Sequence, residues 1–166
     1  YRFEARVRNH AYPDGLVTSF FLYGYDGALS DEVDYEFLSK QTNDDATWSD
    51  GDPVLTNTWN ESQQDPAYAA PHGLALTDEW ITLRIYWLPS QKRVVWTWID
   101  PVNGETELRA ETGSDYAPDE AMALYFNYWA ATDSWSDAYD ANLQPAQDPQ
   151  SDQTYLYEID YVEVRT

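Results

Sequence analysis

Apolar and polar residues alternate along most of this chain with a period of two, which is the pattern of half-buried β-strands. In the segment Arg2 to Arg8, the alternation puts Phe3, Ala5 and Val7 on one face of a strand. Helical periodicity is scarce, and aromatic and β-branched residues fill the alternating segments. About nine strands are predicted, at this first segment and at Val17–Tyr23, Val33–Leu38, Val54–Trp59, Trp80–Leu88, Arg93–Ile99, Glu105–Arg109, Met122–Tyr128 and Tyr155–Val164.

Turn signals rich in Gly, Pro and Asp separate these strands, as in Pro13-Asp14-Gly15, Tyr25-Asp26-Gly27, Asp50-Gly51-Asp52-Pro53, Asn103-Gly104 and Pro118-Asp119. Many short strands with such turns and no helices between them predict an all-β fold, an antiparallel β-sandwich or jelly roll. Trp80–Ile99 is expected to form one long hairpin bent at Pro89-Ser90. The connections Gln41–Pro53 and Ala130–Gln153 are longer, and loops of that length are usually functional or mobile.

Composition limits the size of the fold and the classes of partner. The 166 residues, 43% of them hydrophobic, suffice for one sizeable core, so a single domain over residues 1–166 is expected. A formal net charge of −21 repels phosphate backbones and anionic lipids, so nucleic acid and membranes are not expected partners. The excess of Asp over Glu is typical of a hydrated surface suited to high salt, with an ordinary acidic secreted protein as the alternative. Since cysteine is absent, disulfides and thiolate metal sites are excluded.

Three acids alternate along one predicted strand. In the segment Asp31 to Leu38, the period of two puts Glu32, Asp34 and Glu36 on one face. Carboxylates side by side raise one another's proton affinity, so one of them can stay protonated near neutral pH. Such a row suits a general acid paired with a nucleophile. The same spacing is nevertheless expected about once by chance in so acidic a chain, and a second acidic cluster, Glu158 to Glu163, shows a related spacing.

Further motifs distinguish between these clusters. The acid row follows Ser19 to Gly24 and precedes Phe37-Leu38, and the later matches, in order, are Asn57-Thr58-Trp59, Trp80 to Trp87, Asn127-Tyr128-Trp129 and Tyr157 to Val162. On these motifs the chain resembles the family 16 glycoside hydrolases of the laminarinase and licheninase type, nearly from end to end. The resemblance implies a concanavalin A-like jelly roll, and it assigns the second acidic cluster to the family's closing strand.

The resemblance also implies roles for the three acids. Glu32 would be the nucleophile, Glu36 the general acid and base, and Asp34 the residue that orients and tunes them, in an endo-β-glucanase that cuts β-1,3 or mixed-linkage β-1,3-1,4-glucan with retention. Positions i and i+4 of a strand lie about 13 Å apart, whereas a retaining pair needs carboxyl groups roughly 5–5.5 Å apart. The two glutamate side chains are therefore expected to lean toward each other.

Aromatic and amide side chains are the usual partners of sugar rings, whose C–H faces are apolar. By resemblance, the substrate-binding residues are Tyr23, Asn57, Trp59, Asn127, Trp129 and Trp135, with core packing as the alternative for each tryptophan. Trp80, Trp87, Trp96 and Trp98 are assigned to the core or to sheet faces. The resemblance further implies an extracellular monomer that needs no cofactor and binds a polysaccharide. Asp160 falls where relatives hold a structural calcium, with a solvated acid as the alternative.

The chain departs from the family in two places. Relatives carry several strands before the segment that begins at Tyr1, so residues 1–166 are expected to lack the family's N-terminal strands. Ser30 stands where relatives place a tryptophan before the first catalytic acid, so one sugar platform is expected to be absent. These departures favour an alternative function, a non-catalytic lectin-like carbohydrate-binding domain. An acidic structural domain without a sugar site is a third alternative.

Overall fold

The computed structural model describes residues 1–44, 46–113, 115–143 and 153–166. Almost all of its regular structure is β. The strands are β1 (Arg2–Arg8), β2 (Leu16–Tyr25), β3 (Ser30–Leu38), β4 (Val54–Asn60), β5 (Gln63–Gln64), β6 (Ala67–Ala69), β7 (Ile81–Leu88), β8 (Arg93–Asp100), β9 (Gly104–Thr112), β10 (Ala123–Ala130) and β11 (Glu158–Arg165). A short helix α1 (Ser39–Thr42) follows β3, and a 3₁₀ turn, Pro89–Gln91, joins β7 to β8. None of the described helices is long and apolar enough to cross a membrane.

The strands form two antiparallel sheets, which confirms the predicted β-sandwich. One sheet has five strands in the order β11-β1-β7-β8-β9. The other has six, in the order β10-β2-β3-β4-β5 with β6 also paired to β4, so β3 lies inside the sheet with β2 and β4 on either side. The predicted hairpin is present as β7, the 3₁₀ turn and β8.

Three features of the strand pattern differ from the sequence prediction. The described residues contain eleven strands instead of nine, because β5 and β6 have two and three residues and are too short for a period to be visible. The last strand begins at Glu158 instead of Tyr155. The connection that starts at Gln41 also includes the end of α1, and the connection predicted at Ala130–Gln153 lies partly outside the described residues.

The core fills the space between the two sheets and fixes which way β3 faces. Val33, Tyr35 and Phe37 are buried in the main cluster together with Trp96 of the opposite sheet. The Tyr35 hydroxyl donates to the backbone carbonyl of Thr97 at 2.9 Å. Because side chains alternate along a strand, burying these three residues directs Glu32, Asp34 and Glu36 to the outer face of the six-stranded sheet. Trp87, Trp96 and Trp98 are core residues, and Trp80 lies under the guanidinium groups of Arg6 and Arg8.

Candidate active site

The three acids of β3 share the outer sheet face with a defined set of neighbours. In an antiparallel sheet, residues directly opposite each other lie on the same face. Three cross-strand rows follow from the register: Tyr23–Glu32–Trp59, Phe21–Asp34–Asn57 and Ser19–Glu36–Leu55. On β10, Tyr125 continues the row of Phe21 and Asn127 continues the row of Ser19. The acids therefore lie at the middle of the sheet, with aromatic and amide side chains on both sides.

The acids line one cavity of about 430 Å³ on this face. Its lining residues are Glu32, Asp34, Glu36, Leu55, Asn57, Trp59, Gln64, Pro66, Trp129 and Trp135. Glu32 and Glu36 are half-buried, so neither is sealed under apolar packing. The structure thus brings together the three acids and four of the six residues predicted to contact substrate.

Asp34 is the most buried of the three acids, with 4% of its surface exposed. Burial raises the pKa of Asp34 well above its ordinary value, and the negative charges of Glu32 and Glu36 raise it further. A protonated Asp34 donates a hydrogen bond to Glu32. This bond lowers the pKa of Glu32, in opposition to the larger effect of burial, which raises it. Through this hydrogen bond Asp34 favours the ionised form of Glu32.

Glu36 has a different electrostatic environment. Burial raises its pKa from 4.5 to about 7, and the nearby charge of Glu32 contributes to the same shift. Near neutral pH, then, Glu36 exchanges its proton readily. Glu32 acts on Glu36 in this way because both carboxyl groups line the same cavity.

Aromatic rings form the walls of the cavity. The ring of Trp135 stacks on that of Trp129 with centroids 5.6 Å apart, and both pack against the small apolar cluster that contains Leu38 and Leu55. Trp59 lies at the opposite end, beside Gln64 on β5. The cavity therefore has an indole near each of its ends.

Asn57 contributes a polar group that lacks a partner within the described residues. Its side chain has 5% of its surface exposed, and its Oδ1 atom is buried without a hydrogen bond. Buried acceptors in native proteins are normally paired with protein or with bound water. Asn57 lines the cavity directly opposite Asp34, which places an unpaired polar atom beside the acids.

Tyr23 and Asn127 occupy the predicted sheet face without lining the cavity. Tyr23 lies in the row of Glu32 on β2, and the exposed Asn127 lies two strands from Glu36 on β10. Two residues that sequence reasoning missed accompany them. Tyr125 stacks on Phe21 with centroids 5.4 Å apart and meets Tyr23 edge to face at 6.2 Å. These rings extend the aromatic surface from the acids toward the β10 edge.

The sequence analysis also missed Leu55, Gln64 and Pro66 as cavity residues. Leu55 could have been found, because it precedes Asn57 by two residues and so shares its face. Gln64 and Pro66 lie in and beside the very short strands β5 and β6, where no period identifies a face.

The second acidic cluster is neutralised on the opposite sheet. Glu158 pairs with Arg8, Asp160 with Arg6 at 2.9 Å, and Glu163 with Arg2 at 2.6 Å. Within the described part of the chain, no group of three or more His, Asp or Glu side chains is arranged to hold a metal ion. The Asp160 carboxylate is occupied by its ion pair with Arg6, and a calcium ion at this position stays a prediction.

Comparisons with known proteins support the fold. The model of the family described as "Glycosyl hydrolases family 16" matches residues 2–163. A β-glucanase of Bacillus licheniformis covers 94% of this chain at 22% identity with a TM-score of 0.64. A β-1,3-1,4-glucanase, or lichenase, from a mouse hindgut metagenome covers 86% of this chain at 22% identity with a TM-score of 0.62. A Mycobacterium tuberculosis protein described as an immunostimulatory antigen and pseudo β-1,3-glucanase covers 97% of this chain at 16% identity with a TM-score of 0.62.

The present chain is shorter than these solved structures. It covers 61% of the B. licheniformis protein, 59% of the metagenome lichenase and 61% of the M. tuberculosis protein. No curated protein sequence matches it. At these identities the solved structures establish the jelly-roll fold, and the arrangement of the site rests on this chain's own residues.

Proposed function

Because this chain belongs to glycosyl hydrolases family 16, we propose that it is a retaining endo-β-glucanase that cuts β-1,3 or mixed-linkage β-1,3-1,4-glucan. One observation carries the proposal: Glu32, Asp34 and Glu36 line a single cavity that also holds three tryptophans. The arrangement combines two carboxyl groups of different proton affinity with flat apolar rings. A neutral polysaccharide suits this site, since an anionic one would be repelled by a chain with a net charge of −21.

In this proposal Glu36 is the general acid and base. Its pKa of about 7 means that it is protonated over much of the range in which Glu32 is ionised. Glu36 donates its proton to the glycosidic oxygen, and the bond from that oxygen to the anomeric carbon breaks as the leaving sugar departs as an alcohol. A general acid of this kind contributes about 10²–10⁴-fold to the rate.

Glu32 is the nucleophile. Its carboxylate attacks the anomeric carbon and forms a covalent glycosyl-enzyme. Glu36, now ionised, takes a proton from a water molecule, which attacks the same carbon and releases Glu32. Two inversions give net retention. Asp34 keeps its proton throughout, and its hydrogen bond to Glu32 favours the carboxylate that attacks and later departs.

The remaining residues of the site hold the sugar. Trp59 at one end and the Trp129–Trp135 pair at the other offer faces for pyranose rings. The buried Oδ1 of Asn57 accepts a hydrogen bond from a sugar hydroxyl next to Asp34. Tyr23 and Asn127 contact sugar units beyond the cavity, on the β2 and β10 side. The extracellular location, the monomeric state and the suitability for high salt stay predictions.

The test is replacement of the nucleophile. Glu32→Gln is expected to reduce sugar release from laminarin or lichenan by at least about 10³-fold while glucan binding persists. Carrageenan-type galactans complete the panel, and the exposed Glu79→Gln is the matched control, with wild-type rates expected. Undiminished hydrolysis by Glu32→Gln would refute the role given to Glu32.

A non-catalytic carbohydrate-binding domain is the second candidate. One observation favours it: a neighbour of the same fold is described as a pseudo β-1,3-glucanase. In that case the wild-type chain is retarded in native gels that contain glucan but releases no reducing sugar at any pH between 4 and 9. The same gels and assays separate this function from hydrolysis, and an absence of both binding and release would exclude the two candidates together.

A further inference from the structure

The turn that carries Trp135 is closed by its own backbone. The amide of Trp135 donates to the carbonyl of Thr132 at 3.0 Å, and the Trp135 carbonyl accepts from the amides of Ala138 at 3.2 Å and Tyr139 at 2.9 Å. Ala138 is fully buried in the small apolar cluster below the cavity. The turn thus presents one indole to the cavity and leaves the later carbonyls to find partners outside the turn.

Helix α1 supplies those partners. The Lys40 ammonium donates to the carbonyls of Ser136 at 2.8 Å and Tyr139 at 3.0 Å, and the Gln41 amide donates to the carbonyl of Asp137 at 2.9 Å. A lysine is well suited to carbonyls at the end of a helical turn, because the backbone dipoles place negative partial charge there. The Tyr68 hydroxyl also contacts this turn and donates to the Asp137 carboxylate at 3.2 Å.

The same helix continues directly from the strand of acids. Lys40 follows Glu36 by four residues, and the amide of Leu16 donates to the buried Ser39 hydroxyl at 3.0 Å, which fixes the start of α1 to β2. One continuous segment therefore carries Glu36 at one end and the cation that holds the Trp135 turn at the other.

We propose that Lys40 is a positioning residue, which holds the Trp135 indole over the Glu36 end of the cavity so that it stacks on a sugar unit of the bound glucan. The effect on sugar rests on the proposed function, whereas the effect on the turn does not. Without the ammonium, the carbonyls of Ser136 and Tyr139 form hydrogen bonds with water instead. Ala138 stays buried, and Trp135 still stacks on Trp129. The turn then loosens without unfolding the sandwich.

The first experiment measures the turn alone, by hydrogen exchange and mass spectrometry. Lys40→Met is expected to speed exchange of the Ala138 and Tyr139 amides by at least about fivefold, as the loss of two hydrogen bonds to the turn implies. Lys40→Arg keeps the donors and restores slow exchange. The chain has one other lysine, so Lys92→Met, at an exposed turn, is the matched control with wild-type exchange. Wild-type exchange of residues 131–143 in Lys40→Met overturns the proposal.

The second experiment measures sugar binding through a double-mutant cycle. Lys40→Met is expected to raise KM for a long glucan several-fold with kcat within about twofold, because the loss falls on binding of a remote sugar unit. In a Trp135→Ala background it should add nothing. An equal cost in both backgrounds overturns the positioning role. If the wild-type chain neither binds nor cuts glucan, the proposed function fails, and the exchange result still decides whether Lys40 holds the turn.

Discussion

The indole Nε1 of Trp96 donates a hydrogen bond of 2.9 Å to the backbone carbonyl of Asp34, across the core of the sandwich. Trp96 is fully buried on β8 of the five-stranded sheet, and Asp34 is the central acid on the other sheet. This bond ties the backbone of the acid row to the opposite layer. Because a buried carbonyl is costly to leave unpaired, the bond resists any shift of β3.

Replacing Trp96 with Phe tests this tie. The phenyl ring keeps much of the apolar volume but leaves the Asp34 carbonyl without its donor, so the free energy of unfolding should fall by about 1–3 kcal/mol. Urea unfolding at pH 7 measures the change. Trp98→Phe is the matched control, since Trp98 is buried in the same cluster and its indole makes no hydrogen bond within the described residues. Equal losses in both variants would assign the effect to packing alone.

Asp31 fixes the end of the cleft beside Glu32. Its buried carboxylate accepts from the amides of Glu61 at 3.3 Å, Asp119 at 3.1 Å and Glu120 at 2.9 Å, which joins β3 to two surface segments. We expect Asp31→Ala to lower the free energy of unfolding by about 1.5–3 kcal/mol, the cost of removing hydrogen bonds to a charged acceptor. The experiment is again urea unfolding.

The control for Asp31 is Asp26, which accepts two amides within one exposed turn. Asp26→Ala removes a similar number of bonds without joining distant segments, so a loss of less than about 1 kcal/mol is expected. If the two alanine variants lose the same stability, the connecting role of Asp31 is wrong.

The sequence predicted the acid row well because one face of β3 is apolar. Val33, Tyr35 and Phe37 define the buried face, and the period of two then fixes Glu32 and its companions on the other face. The family motifs added roles that the alternation alone did not supply. They also separated this row from the acids of β11, whose arginine partners on β1 no local pattern predicts.

The parts that the sequence did not predict depend on contacts between distant segments. Gln64 reaches the cavity only because β5 pairs with β4, and Lys40 acts on carbonyls almost a hundred residues away. Tyr125 lies on the face of the acids because β10 pairs with β2 in one register. Strand register and turn geometry are determined by packing between distant segments, so the periodicity of a single strand predicts neither of them.

The pH dependence of hydrolysis follows from the two glutamates. Glu36 must be protonated to act as acid, so the rate should fall as the pH rises through about 7, the pKa of Glu36. Glu32 must be ionised, and burial raises its pKa, so the acid limb should lie above the 4.5 of an ordinary glutamate. Plots of kcat/KM against pH from 4 to 9 on lichenan measure both limbs. A rate that has not begun to fall by pH 9 would contradict the role of Glu36.

Glu36 should also make the protein less stable at alkaline pH. Its carboxyl group has an ordinary pKa of 4.5, which burial raises to about 7 in the fold, so the folded state binds the proton more tightly than the unfolded chain. This contribution to stability is fully present below pH 4.5 and is lost as the pH rises to about 7.

The variant Glu36→Gln tests this effect, because it removes the titrating carboxyl group and keeps the shape of the side chain. The free energy of unfolding of the variant, relative to that of the wild type, should therefore increase as the pH rises from 4.5 to 7. The increase should be on the order of 1–3 kcal/mol and should persist at pH 8. Glu79→Gln at an exposed position is the control and should show the same difference from the wild type at every pH. Urea unfolding at pH 5 and pH 8 measures the change, and a Glu36→Gln difference that is equal at the two values would show that Glu36 is not held in its protonated form by burial.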